Sequence, residues 1–192
     1  MADGIATTPS PDARTRILDA AEAIVQTRGV PALTLDAAAR DAGVSKGGLL
    51  YHFASKEALL AGMLRRIAEF VEREYRACVE VQPDGPFRAT RATLEWGFGT
   101  GEGACDERHD RAAAVFLAAF HHDPVLLDPV RAVIAAMRAN IAADGLPPGV
   151  GHAIYAAADG IFMARLFRLY VPGPEELEAM RGALAKLLEP AR

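Results

Sequence analysis

The chain has 192 residues, 51% of them hydrophobic, and a formal net charge of −4 at pH 7. That size and apolar share support a real core, in one elongated domain or two small ones. The acidic balance argues against a general nucleic-acid binder, whereas a sequence-specific one needs only a local basic face. The two cysteines, Cys78 and Cys105, have no CxxC spacing, which speaks against a disulfide scaffold and for a reducing compartment.

Residues 1–11 read as a disordered tail. They lack the basic stretch and apolar core of a signal peptide. The longest uncharged apolar run, Ala112 to Phe120, is far short of the ~20 residues that span a bilayer. A soluble cytoplasmic protein is expected, with no membrane partner.

Ser10-Pro11-Asp12 is a helix entry, with Ser10 as the cap. The first predicted helix covers 12–28, with Ile17, Ala21, Ile24 and Val25 on one apolar face. Gly29 and Pro31 end it. Thr34 caps a second helix over 35–42, whose Leu35, Ala38 and Ala39 face inward. Gly43 breaks that helix, Val44 plugs the corner, and Ser45 caps a third helix over 46–53. Two short helices joined by a glycine-containing turn make a helix-turn-helix pattern. Ser55 caps a fourth helix reaching about residue 80. Its apolar side carries Leu59, Leu60, Met63, Leu64, Ile67, Phe70 and Val71, and its other face is mixed in charge.

Beyond Pro83, Gly85 and Pro86, helices are predicted over 87–98, 106–121, 123–143, 150–170 and 175–188, with Pro129 breaking or kinking the start of the third of these. No segment sustains strand alternation, so the predicted fold is all-α with about nine helices. The predicted division is a tail over 1–11, a helix-turn-helix domain over 12–60 and a C-terminal helical domain over 61–192.

The stretch from Thr34 to Leu59 carries the chemistry. A seven-residue helix is ~10 Å long at ~1.5 Å per residue, and the major groove, ~12 Å wide, admits one helix. Lys46 offers a cation to phosphates or guanine acceptors. Tyr51, His52 and Lys56 offer donors suited to phosphate oxygens. The helix N-termini at Thr34 and Ser45 present free N–H groups, and Gly47 and Gly48 allow close backbone approach. The same residues also suit a plain structural role: turn glycines, Tyr51 and Phe53 in the core, Lys56 solvated.

In combined spacing this stretch resembles the N-terminal domain of the TetR/AcrR family of transcriptional regulators. The matching residues are Thr34, Ala38, Ala39, Gly43-Val44-Ser45, Lys46-Gly47, Leu49, Tyr51-His52-Phe53, Ser55-Lys56-Glu57 and Leu59. Ile17, Leu18, Ala20, Ala21 and Gly29 fit as well, so the resemblance covers about the first sixty residues. It implies an Ω-shaped homodimer in which the second and third helices read operator DNA and the C-terminal domain binds a small molecule. Lys46, Gly47, Gly48, Tyr51, His52 and Lys56 would then contact DNA. Two positions depart from the family pattern. Leu50 stands where a tyrosine is usual and offers an apolar contact to a thymine methyl. Gly48 stands where Thr, Ser or Asn is frequent.

On that reading the C-terminal helices enclose a pocket, with Trp96, Phe116, Phe120, His121, Met137, Asn140, Tyr155, Asp159 and Phe162 as candidate lining. Aromatics on helices are more often core. Asp159 lies in the apolar run AIYAAADGIFMA, where a charge needs a partner or water; Arg165, a cationic ligand, solvent or a second subunit would serve. Small residues at Ala156, Gly160 and Ala164, and a stripe of Leu177, Met180, Leu184, Leu187 and Leu188, either build a dimer through the eighth and ninth predicted helices or face the chain's own core. The expected function is a ligand-responsive repressor, released from its operator when a small molecule binds. It is neither an enzyme nor cofactor-dependent. The rival is a small helical metal-binding protein or enzyme using Cys105, His109, His121, His122 and Asp159. No nucleophile, phosphate-loop or HExxH motif supports it.

Overall fold

A computed structural model of the chain describes residues 12–99, 115, 116, 119, 123–167 and 169–189. Helix α1 (Ala13–Arg28) starts where a side chain supplies an acceptor for a free N–H: Asp12 Oδ1 accepts the Thr15 N–H at 2.7 Å. The cap is therefore Asp12, two residues later than the Ser10 cap expected from sequence; Ser10 and Pro11 lie outside the described residues. A carboxylate on the first free amides is a stronger acceptor than a hydroxyl, and the helix dipole favours its charge. Gly29, at φ +78°, ends α1, and a single 3-10 turn at Val30–Ala32 leads onward.

Helix α2 (Leu35–Asp41) and helix α3 (Lys46–His52) follow. Gly43 between them holds φ +65°, a conformation that costs a side chain but not glycine. Helix α4 (Lys56–Glu80) begins behind Ser55, whose Oγ accepts the Ala58 N–H at 3.1 Å. The chain divides into two compact units, Met1–Met63 and Leu64–Arg192, so α4 contributes its opening turns to the first and the rest to the second.

The first unit packs α1, α2 and α3 around fully buried Ile17, Leu18, Ile24, Leu33, Leu49 and Leu59, with Ala38 and Ala21 allowing close helix approach. Each such large side chain contributes about 1.5–3 kcal/mol when buried. Leu35 is only half-buried, and Ala37 takes an inward place beside Ala38 and Ala39.

The second unit contains helices α5 (Arg88–Phe98), α6 (Asp128–Ala142), α7 (Val150–Leu166) and α8 (Pro174–Ala185). One cluster joins Tyr75, Ala89, Ala92, Met137, Ile141 and Tyr155. A second joins Leu94, Phe98, Ile154, Ala158, Ile161 and Leu177. Leu166 anchors a third with Ile67, Phe116 and Phe162 packed against it.

The helix expected over 106–121 falls largely outside the described residues; Val115, Phe116 and Ala119 within it are helical. The helix expected from residue 123 is split: Pro124–Leu127 form a 3-10 turn, and α6 starts at Asp128 with Pro129 in its first turn, where its missing N–H costs nothing. Helix α7 stops at Leu166, short of the expected Tyr170, because the Leu169 N–H folds back onto the Ala164 carbonyl at 2.9 Å. Among the described residues there are eight α-helices and no strand. None is long and apolar enough to cross a membrane.

Candidate functional site

Thr34 and Ser45 act as caps in the first unit. Thr34 Oγ1 accepts the Ala37 N–H at 3.1 Å, and Ser45 Oγ accepts the Gly48 N–H at 3.0 Å. A cap of this kind contributes about 1 kcal/mol. The Gly48 position is tight for that reason: a Cβ there would lie 3.2 Å from the Ser45 hydroxyl oxygen. Gly47 borders open space.

The two faces of α3 have opposite characters. Leu49 is fully buried, and Phe53, just past the helix, is 3% exposed under the Arg14 guanidinium, 5.6 Å from its ring centre. Tyr51 is 86% exposed and Leu50 is 39% exposed. Tyr51 and His52 meet edge to face with ring centres 5.1 Å apart. Of the two aromatics that the sequence left between core and surface, Phe53 is core and Tyr51 is not. A large ring held in water by a rigid short helix is an expensive arrangement unless something else covers it.

The cations around α3 are all engaged within the unit. Lys46 Nζ lies 3.0 Å from Asp36 Oδ1. Arg40 Nε lies 3.5 Å from Asp41 Oδ1, and Arg28 also bonds the Asp41 carboxylate. That hydrogen bond from Arg28 holds the Asp41 carboxyl below its ordinary pKa. Lys56, half-buried, donates to the Val30 carbonyl at 3.4 Å, so it clamps the 3-10 turn as well as carrying charge.

The candidate effector residues separate into two groups in the second unit. Trp96, Met137 and Tyr155 belong to one cluster, with Tyr75 edge-on to Trp96 at 6.2 Å between ring centres. Phe116 and Phe162 belong to another, around Leu166. Asn140 is exposed, on the cleft described below. Phe120 and His121 lie outside the described residues, as do Cys105, His109 and His122 of the metal reading. Among the described residues no group of three His, Cys, Asp or Glu side chains is arranged to hold a metal.

Asp159 is half-buried, and burial raises its pKa against the opposing influence of Arg138. A cation that the structure sets near it is Arg138, which was not among the partners expected from sequence. The Arg138 guanidinium also lies 5.6 Å from the Tyr155 ring centre, a cation–π distance. Burial raises the Tyr155 hydroxyl too, with Asp159 adding to the effect.

A half-open cleft of about 370 Å³ lies between α4 and α6. Tyr75, Val79, Val133, Ala136 and Met137 form apolar walls, and Glu72, Arg76 and Asn140 supply polar groups. Glu72 and Arg76 pair at 2.7 Å across one helical turn. Met137 and Asn140 were candidates from sequence; Glu72, Arg76 and Tyr75 were not. Glu72 and Arg76 were read as part of a solvated mixed-charge face, and both are exposed; the i, i+3, i+4 spacing that sets Tyr75 beside them was the signal.

Asp144 was also missed. It closes the N-terminus of α5, where Phe87 (φ +65°) offers no side-chain cap. Asp144 Oδ2 accepts the Thr90 N–H at 2.6 Å and the Thr90 hydroxyl at 2.7 Å, and Oδ1 accepts the Ala89 N–H at 3.3 Å.

The model described as "Bacterial regulatory proteins, tetR family" matches residues 17–63, and that described as "Tetracyclin repressor-like, C-terminal domain" matches residues 88–189. The second alone takes in more than half of the chain. The chain belongs to the TetR family of bacterial regulatory proteins. The HTH-type transcriptional repressor KstR2 of Rhodococcus jostii is 35% identical over 100 residues, 52% of this chain and 47% of that protein. The chain thus spans under half the length of that relative. Among solved structures, the multidrug binding protein EbrR complexed with malachite green is similar with a TM-score of 0.68 and 27% identity, over 92% of this chain and 98% of that one. A TetR-family member from Streptomyces coelicolor A3, SCO1917, gives 0.66 and 28% over the same shares. The helix-turn-helix of this TetR-family chain is therefore the α2–α3 pair, and the all-α architecture is that of the family.

Proposed function

We propose that the protein is a dimeric, cytoplasmic, ligand-responsive repressor whose α2–α3 head reads operator DNA. The DNA-binding domain on this reading is 12–60 and the effector-binding and dimerisation domain 61–192. The observation that carries it is the exposed face of α3, with Tyr51 held in solvent while Leu49 and Phe53 anchor the helix from behind. Helix N-terminal amides at the capped starts of α2 and α3, with Lys46, Tyr51, His52 and Lys56, would meet phosphates, and Gly47, Gly48 and Leu50 would lie against base edges. Tyr51 and Lys46 bear most of this, since Lys56 is partly spent on Val30.

The effector is a small organic molecule bound in the second unit. Support comes from the cleft between α4 and α6, from the aromatic set Trp96, Tyr155, Phe116 and Phe162 with Met137, Asn140 and Asp159, and from the likeness to EbrR, a multidrug binding protein. Residues of α4 line that cleft, and α4 is also the helix that continues into the reading head. A ligand that favours one placement of α4 over another changes DNA affinity, and DNA changes ligand affinity by the same factor.

Dimerisation is assigned to α7 and α8. Ala156 and Gly160 are exposed on α7, and exposed large apolar side chains are Met163 on α7, Phe167, Leu169, Tyr170 and Val171 in the loop after it, and Leu187 just beyond α8. In contrast Leu177 is buried, and Met180, Leu184 and Leu188 pack into the chain's own core. The interface on this reading is thus the small-residue ridge and the loop, with Leu187, in the 3-10 turn Lys186–Leu188 that follows α8, as the part of the predicted stripe that faces out. A two-fold dimer sets two heads on half-sites a helical turn, ~34 Å, apart or a multiple of it.

The test is a gel shift on a duplex enriched from random sequence by the protein itself. Lys46→Ala with Tyr51→Ala is expected to lower affinity at least 100-fold, as loss of two hydrogen bonds to charged phosphate at ~1.5–3 kcal/mol each implies. Unchanged affinity in that double variant sinks the assignment of α3 as the reading helix.

A further inference from the structure

The cations of the reading head do not present free charge. Between residues 34 and 56 there are Arg40, Lys46 and Lys56, against Asp36 and Asp41. Arg40 shares Asp41, Lys56 donates to Val30, and Lys46 lies 3.0 Å from Asp36. The last pair differs from the others. It joins the first turn of α2 to the first turn of α3, with both side chains about two-thirds exposed, at 64% and 68%. It therefore sits at the two helix N-termini where DNA phosphate is expected.

Resting on the DNA-binding reading above, we propose that Asp36 tempers DNA affinity, as a carboxylate that occupies Lys46 in the free protein and must be exchanged for a DNA phosphate on binding. Asp36 stands in the first turn of α2, where the helix dipole favours its charge. A phosphate arriving at the same place is favoured by the same dipole. The two anions compete for one ammonium. An exposed pair in water is weak, so the competition lowers Lys46's availability several-fold without abolishing it. The exchange is needed on any duplex, so it lowers operator and arbitrary DNA affinity alike, and non-specific binding, which draws almost entirely on phosphate contacts, loses the larger share of its total. Specific binding adds base contacts that Asp36 does not oppose. An acidic protein with few head cations thereby keeps its grip on arbitrary DNA low.

The test uses the full chain and a fluorescently labelled duplex of arbitrary sequence, with affinity read by anisotropy from 50 to 200 mM salt. Asp36→Asn is expected to bind this duplex several-fold more tightly than the parent at 50 mM. Both complexes neutralise the same phosphate, so the log–log salt slope stays close to the parent's, and the advantage narrows as salt screens the Asp36–Lys46 pair. Lys46→Ala is expected to weaken binding, and Asp36→Asn in the Lys46→Ala background to change nothing further. If Asp36→Asn leaves affinity unaltered, or strengthens binding equally with and without Lys46, the exchange is refuted; the latter result would mean direct repulsion of DNA by Asp36. If Lys46→Ala and Tyr51→Ala leave binding to every duplex intact, the reading-head assignment itself fails, which is a different result. Asp36→Gln serves as the second variant should Asp36→Asn lower the helical melting temperature.

Discussion

Asp144→Ala should be one of the most damaging single substitutions in the second unit. The carboxylate accepts three hydrogen bonds from the start of α5, at 2.6, 2.7 and 3.3 Å. Its removal strands the Thr90 hydroxyl and N–H, and Thr90 is fully buried. A buried donor left without a partner costs about 1–3 kcal/mol. Loss of the acceptor at a helix start costs about 1 kcal/mol more. The total is near 3 kcal/mol, from a protein whose whole stability is of order 10 kcal/mol. At about 2–4 °C per kcal/mol for a chain of this size, melting should fall by roughly 6–12 °C. Asp144→Asn retains one acceptor oxygen and should fall by about half as much. Circular dichroism melts of both variants, with Thr90→Val and the double variant to complete a cycle, measure this. A fall under 2 °C for Asp144→Ala, or additive effects of Asp144→Ala and Thr90→Val, would refute the cap.

Gly97→Ala should destabilise by about 1–3 kcal/mol, because the new Cβ would lie 2.4 Å from the Ala158 Cβ and 3.2 Å from its Cα, in backbone that cannot retreat; a lowered urea midpoint is the readout. Gly47→Ala meets nothing within 4 Å, so it should raise stability by up to about 1 kcal/mol while weakening DNA binding, a split that melts and gel shifts resolve. Asp159→Asn should raise stability at neutral pH. The Asp159 carboxyl binds its proton more tightly in the folded state than unfolded, so parent stability falls as pH rises from the ordinary carboxylate value through the raised one. The gap between parent and variant should close below the ordinary value, which urea titrations across pH would show. Phe167→Glu with Leu187→Glu should leave helicity intact and shift sedimentation from dimer to monomer.

The reading head was legible in the sequence because its structure is local. Thr34, Ser45 and Ser55 each cap the helix that follows within three residues, and Gly43 marks the turn by a backbone angle that few other residues adopt. Even there the entry to α1 was misplaced by two residues, because Ser10 and Asp12 both suit a cap and only the three-dimensional bond to Thr15 decides. The C-terminal end of α7 was set too far along because hydrophobic periodicity runs on through Leu169 and Tyr170, while the helix is closed by a bond that periodicity does not report.

What was illegible in the second unit depends on partners distant in sequence. Asp144 caps a helix 54 residues before it, and Arg138 reaches Tyr155 from another helix. Arg138 also acts on Asp159 from 21 residues away in sequence. The pairing of Asp36 with Lys46 spans only ten residues, yet it too escaped, because α2 and α3 turn their first turns toward one another only once Gly43 has reversed the chain. A cation counted from sequence is a charge; a cation placed in structure is a charge less its neighbours. On the proposed DNA-binding reading, with a net charge of −4, that subtraction would set how strongly arbitrary DNA is held, and the residues that perform it are acids that no basic-patch reading would select.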